Sequence, residues 1–218
     1  MVLAPLRLMS VRSITRAASE AQLDGRLDAL IADGWAIWER FDRPDRATEF
    51  HPFVPADYDV VRAALLRLRA PGQRFLEWGS ATGIIAIMAD LMGFEAFGIE
   101  LDGSLVAIAR EVAARHGSAA RFVVGSLLPA GYRWRGRDGD SRRGTIGDAI
   151  SGYGELGHSL DDFDILFGYP WDGEAELMRD LMQQFGRRDA LLLLYDTNQG
   201  VRQYRGGREV TSETRAER

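Results

Sequence analysis

The sequence predicts an α/β protein: a doubly wound, mostly parallel sheet of five to seven strands with an N-terminal helical cap. Three observations carry this expectation. Short apolar runs alternate with segments of helical periodicity, the order of parallel strands joined by right-handed crossovers. A turn bearing Gly79 and Gly83 separates the first run from the helix that follows it. About twenty residues beyond that turn, a second run ends on two acids, Glu100 and Asp102.

The elements follow in order. Ser19 opens a Ser-x-x-Gln capping box with Gln22, and Leu23, Leu27, Leu30, Ile31, Trp35, Trp38 and Phe41 continue at helical spacing. The stretch DRPDRATEFHPFVP, with three prolines, predicts a loop. Asp57 is placed to cap a second helix carrying Val60, Val61, Ala64, Leu65 and Leu68. Strands are expected at 74–78, 95–99, 120–124, 163–168 and 189–195, with helices at about 83–92, 103–116 and 173–186. The chain therefore divides into an N-terminal extension and helical cap, 1–73, and a core, 74–218. An irregular insert at about 129–161, rich in Gly, Arg and Ser, interrupts the core. The segment before Glu20 reads as a fraying extension, with an organelle-targeting signal as the other reading.

Composition excludes several chemistries. Apolar residues make up 46% of the 218, which suits a packed domain. No cysteine is present, so disulfides, thiolate metal sites and cysteine nucleophiles are excluded, and a cytoplasmic setting is expected. All 27 basic residues are arginine, which removes a Schiff-base lysine and a phosphate-loop lysine. The net charge of -5 argues against general nucleic-acid binding, and no apolar run is long enough for a membrane span. Three scattered histidines predict no metal site.

The turn FLEWGSATG holds the functional signal. Dinucleotide sites use G-x-G-x-x-G to bring a pyrophosphate onto a helix N-terminus. Here Ser80, Ala81 and Thr82 fill the space between the two glycines. Glu77, just before the turn, has the wrong charge for a pyrophosphate and suits a cationic ligand. S-adenosylmethionine has that character, with a sulfonium, an amino group and no phosphate. Its carboxylate is expected on the amides of the turn.

At these residues the sequence resembles the class I S-adenosylmethionine-dependent methyltransferases, a Rossmann-like family. The resemblance rests on EWGSATG, GIELD, FVVGSLLP and DDFDILFGYPW and covers roughly 74–196. It implies that Glu77, Gly79, Ser80 and Gly83 line the methionine part of the cofactor and that Glu100 holds the ribose. It further implies that Leu101 and Asp102 lie beside the adenine, with Gly125, Ser126 and Leu127 on its other side. Two departures stand out. Ser126 occupies a position where the family often has Asp. The family usually adds an antiparallel hairpin after the fifth strand, whereas only one short strand and a polar tail are expected after Asp196. The sheet is then either cut short or completed by a partner, which opens a homodimer. FHPFVPADYDVVRAALLRL also resembles the lead-in of non-SET protein-lysine methyltransferases.

The acceptor side is expected at GYPW. Class I enzymes that methylate amino groups often carry a Pro-plus-aromatic turn there. Tyr169, Trp171 and Asp172 are candidates to orient the nucleophile, and Pro170 and His51 to border the substrate. The competing readings are core-packing aromatics for the turn and a roleless loop histidine for His51. Arg133, Arg135, Arg137, Arg142 and Arg143 form either a solvated insert or a lid for an anionic partner. The leading function is methyl transfer from S-adenosylmethionine to an unidentified small molecule or protein. N-methylation of an amine or protein side chain is favoured over O-methylation of a small molecule. A catalytically silent cofactor-binding or scaffold protein is the alternative, and a nucleotide-dependent oxidoreductase the third reading.

Overall fold

The computed structural model describes residues 11–41, 54–70, 72–133, 149–171 and 173–210. His51, Asp172 and the arginines of 134–148 lie outside the described residues. Strands β1 (Arg74–Trp78), β2 (Glu95–Glu100), β3 (Arg121–Val124), β4 (Ile165–Gly168), β5 (Leu191–Asp196), β6 (Gly200–Arg205) and β7 (Arg208–Glu209) form one sheet in the order β3-β2-β1-β4-β5-β6-β7. The first five are parallel, and β6 and β7 are antiparallel. Helices are α1 (Val11–Phe41), α2 (Tyr58–Leu68), α3 (Ile84–Leu91), α4 (Gly103–Arg115), α5 (Tyr153–Leu156) and α6 (Glu174–Gln184).

Parallel strands buried on both faces need near-continuous apolar runs, which LLLLY at 191–195 supplies. On one face Phe75, Phe122, Phe167 and Leu193 pack with Ile84, Ile87 and Met88 of α3 and with Leu27, Leu30, Val61 and Leu65 of α1 and α2. On the other, Leu76, Trp78, Phe97 and Leu192 pack with Met178 and Leu181 of α6 and with Tyr153 and Leu156 of the insert.

Three expectations are corrected. First, α1 begins at Val11 rather than at the Ser19 capping box. Extending a formed helix is easier than starting one, and no proline stands between Val11 and Phe41 to stop it. Second, the insert is ordered from 149. Ser151 pairs with Ser126, and the Trp78 indole donates to the Tyr153 hydroxyl at 2.8 Å inside the core. Third, a hairpin of two strands follows β5. All six β5 residues pair with β6, so the chain's own residues cover β5.

Candidate functional site

The helix after β1 packs on one face of the sheet and that after β4 on the other. The order of connections reverses between these adjacent strands, the switch point beyond whose C-terminal ends open α/β sheets bind ligands. Trp78 stands opposite Gly168 and Ile99, so the glycine turn, the end of β2 and the GYPW turn gather at one end of the sheet.

Gly79, Ala81 and Gly83 all take positive φ, at 66°, 44° and 78°. Ala81 is the one non-glycine in this region among the described residues. A Cβ added at Gly79 would meet nothing within 4 Å, so the turn has open space there. Gly83 is different: a Cβ would lie 2.6 Å from Phe122 and 2.9 Å from Ala109. Its role is close packing of the helix start on the sheet. Ser80 is equally inward. Its hydroxyl is buried without a partner, against Gly98 where a Cβ would come within 2.6 Å of it. Ser80 and Gly83 thus shape the turn from its core side.

Four of the five amides from Gly79 to Gly83 are engaged within the chain. Gly79 and Ser80 donate to the Ile99 carbonyl at 2.9 and 3.1 Å, and Gly83 donates to the Ser80 carbonyl at 2.7 Å. Ala81 donates to Glu100 Oε2 at 2.9 Å. The other oxygen of Glu100 accepts from the Asp102 amide at 3.0 Å. Each carboxylate oxygen has a second lone pair, so Glu100, half-buried at the end of β2, still has acceptor capacity.

Glu77 is buried behind the turn, and its Oε2 accepts from the Ala86 amide at 2.8 Å. Gly83 has no side chain to cap α3, and Glu77 takes that place from β1. Burial, reinforced by the charge of Glu100, raises its pKa well above the carboxylate range, against the pull of the Ala86 amide. Tyr58 of α2 is buried nearby. Its hydroxyl pKa is raised by burial first and then by Glu77.

Just after β2, Asp102 caps α4 by accepting from the Ser104 amide at 2.7 Å. Leu101 and Val124 are exposed apolar residues at the ends of β2 and β3. Gly125 is covered by the insert, because a Cβ there would lie 2.6 Å from Gly152. Ser126 is buried, and its hydroxyl accepts from the Leu128 amide at 3.1 Å. Leu127 packs against the core formed with the insert.

In the turn after β4, Tyr169 meets Tyr195 edge to face at 4.9 Å. Burial first, then Tyr195 and Asp196, raise the Tyr169 pKa. Pro170 is half-buried and Trp171 is 52% exposed. Sequence reasoning missed Glu174. It is buried, accepts from the Trp171 amide at 2.9 Å, and donates its own amide to the Trp171 carbonyl at 2.9 Å. An acid three residues after Trp171, at a helix start, was the available signal. Tyr58 and Tyr195 had none, since only the tertiary fold brings them to the site.

His116 and His158 lie elsewhere. His116 Nε2 is 3.0 Å from Asp33 of α1, and His158 packs between Phe97 and Phe163. Among the described residues, no helix is long and apolar enough to cross a membrane.

The strand order, the glycine turn and the acid that ends β2 define a Rossmann-like protein with the class I S-adenosylmethionine-dependent methyltransferase fold. No protein-family model matches the chain. Over 99 residues it is 32% identical to ribosomal protein L11 methyltransferase from Thermus thermophilus, across 44% of this chain and 39% of that protein. The match thus spans about two fifths of the relative's length. Among solved structures, 66% of the chain is similar to 78% of an RNA methyltransferase from Salinibacter ruber in complex with S-adenosyl-L-homocysteine, at 20% identity and a TM-score of 0.48. Likewise, 62% is similar to 57% of a ribosomal protein L11 methylase from Lactobacillus delbrueckii subsp. bulgaricus, at 16% identity and a TM-score of 0.40.

Proposed function

We propose that this chain is an S-adenosylmethionine-dependent methyltransferase. The observation that carries the reading is the Glu100 carboxylate at the end of β2, joined to a glycine turn that is open at Gly79. A pair of vicinal ribose hydroxyls suits the acceptor capacity of Glu100, and the exposed Leu101 and Val124 suit a flat apolar base. The cofactor supplies an electrophilic methyl group on a sulfonium. The chain's own residues hold the donor at the ends of β1 and β2 and present the acceptor past the turn after β4. Orientation of the two partners then provides most of the rate.

A tyrosine hydroxyl holds its proton at neutral pH, and burial shifts Tyr169 further in that direction, so it orients the nucleophile as a hydrogen-bond donor rather than removing a proton. Trp171 and Pro170 form the acceptor wall in this reading. We favour an amine or protein side chain as acceptor. The protein named in the T. thermophilus relative supports a protein acceptor. A cytoplasmic setting belongs to the same reading.

Isothermal titration with S-adenosylmethionine, S-adenosylhomocysteine and NADH tests it. The first two are expected to bind and NADH is not. Binding of NADH alone would overturn the reading. A radiolabelled-methyl screen of lysate proteins, RNA and metabolites then identifies the acceptor.

A further inference from the structure

We infer that Glu100 is a positioning residue for the glycine turn as well as the ribose acceptor, so that one carboxylate couples the two ends of the cofactor site. This rests on the S-adenosylmethionine reading above.

The end of β2 holds three consecutive amides of the turn. Ile99 takes Gly79 and Ser80 through its carbonyl, and Glu100 takes Ala81 through its side chain. Ala81 is the member that needs holding. Its φ of +44° is unfavourable for a residue with a Cβ, and the glycines on either side of the Ser80–Thr82 segment do not share that cost. The bond between Ala81 and Glu100 spans 19 residues, so the left-handed conformation is maintained by tertiary contact rather than by local preference. The Ser80 and Thr82 hydroxyls are buried without partners and give the turn no polar anchor of their own. Asp102 is tied to the same carboxylate through its amide and caps α4 with its side chain, so Glu100 also fixes the start of the adenine side. A change at Glu100 is therefore felt along the whole cofactor and not at the ribose alone.

The test compares two ligands. 5′-Methylthioadenosine carries the adenosine and the thioether but lacks the amino-acid end that S-adenosylhomocysteine has. A residue acting on the ribose alone loses the same factor for both when it is changed. Glu100→Ala is expected to weaken S-adenosylhomocysteine about tenfold more than methylthioadenosine, the effect of one further hydrogen bond. Ala81→Gly removes the unfavourable conformation, so Glu100→Ala/Ala81→Gly is expected to recover the extra loss and leave the shared loss in place. Glu100→Gln, whose single carbonyl oxygen can serve only one of the two amides, replaces Glu100→Ala should the latter not fold. Equal losses for the two ligands, or no recovery with Ala81→Gly, would overturn the coupling. If the unaltered protein binds neither ligand, the S-adenosylmethionine reading has failed. Thermal unfolding without ligand then decides the turn: a Tm lowered at Glu100 and partly restored by Ala81→Gly supports the brace, and no restoration removes it.

Discussion

Glu77 has a structural task of its own beside the ligand role proposed for this site. It caps α3 from a neighbouring strand while buried, and it keeps its proton above the ordinary carboxyl value of 4.5. The folded chain then holds a proton that the unfolded chain releases. Stability is fullest below the unfolded value and falls as pH rises from there through the raised folded value. Urea denaturation across the acid-to-neutral range is expected to show that decline in the unaltered protein and a flatter profile in Glu77→Gln. Parallel profiles would mean that Glu77 ionises normally. The two glycines of the turn separate in the same way. Gly83→Ala is expected to destabilise by about 2–4 kcal/mol, from the left-handed φ and the overlap with Phe122 together. Gly79→Ala has the conformational cost alone, about 1–2 kcal/mol, and is expected to lose ligand affinity because its Cβ enters open space. Calorimetry and titration of both variants measure the contrast.

At the scale of elements, the turn after β4 is held from behind. Glu174 closes a reciprocal pair of hydrogen bonds with Trp171 at the start of α6, which fixes the backbone and leaves the indole half in solvent. An exposed aromatic on a fixed backbone contributes little to folding and can serve as a wall. Trp171→Ala is therefore expected to fold with nearly unchanged S-adenosylhomocysteine affinity while methyl transfer falls about 100-fold. Full activity in the screen, or unfolding of the variant, would return the ring to the core. Element boundaries were legible wherever a local cap defines them. Asp57 accepts from the Asp59 and Val60 amides, and α2 starts where the sequence places it. The capping box at Ser19 misled because α1 continues through it. The 149–162 segment was not legible, because its order comes from Tyr153 bonding to Trp78 and from Gly152 lying against Gly125 and Ile99.

The whole molecule is a single sheet with a core on each face, and the helical cap shares the first of these cores through Leu27, Leu30, Val61 and Leu65. Arginine guards the β3 edge and packs near the opposite one. At β3, Arg110 donates through Nε and Nη2 to the Phe122 carbonyl at 3.2 and 2.6 Å, blocking further strand pairing. Toward the other end, one strand in from the β7 edge, Arg179 and Arg202 each lie 5.4 Å from the ring centroid of Tyr204 on β6. A chain whose basic residues are all arginine has a planar, stacking cation available for both tasks.

The sequence by itself determined the α/β class, the five parallel strands and the positions of Glu77, Gly79, Glu100 and the GYPW turn. Apolar runs, helical periodicity and glycines are local properties that each segment carries alone. Only the tertiary structure decided what those residues do with their polar groups. It tied the Gly79, Ser80 and Ala81 amides to β2, turned Ser80 and Gly83 inward, assigned Glu77 to α3 and brought Tyr58, Tyr195 and the insert close to these elements. Each of those outcomes is a hydrogen bond or close contact between segments far apart in the chain. Residue spacing along one segment does not encode such pairings, because they form only once burial has brought the strands into register.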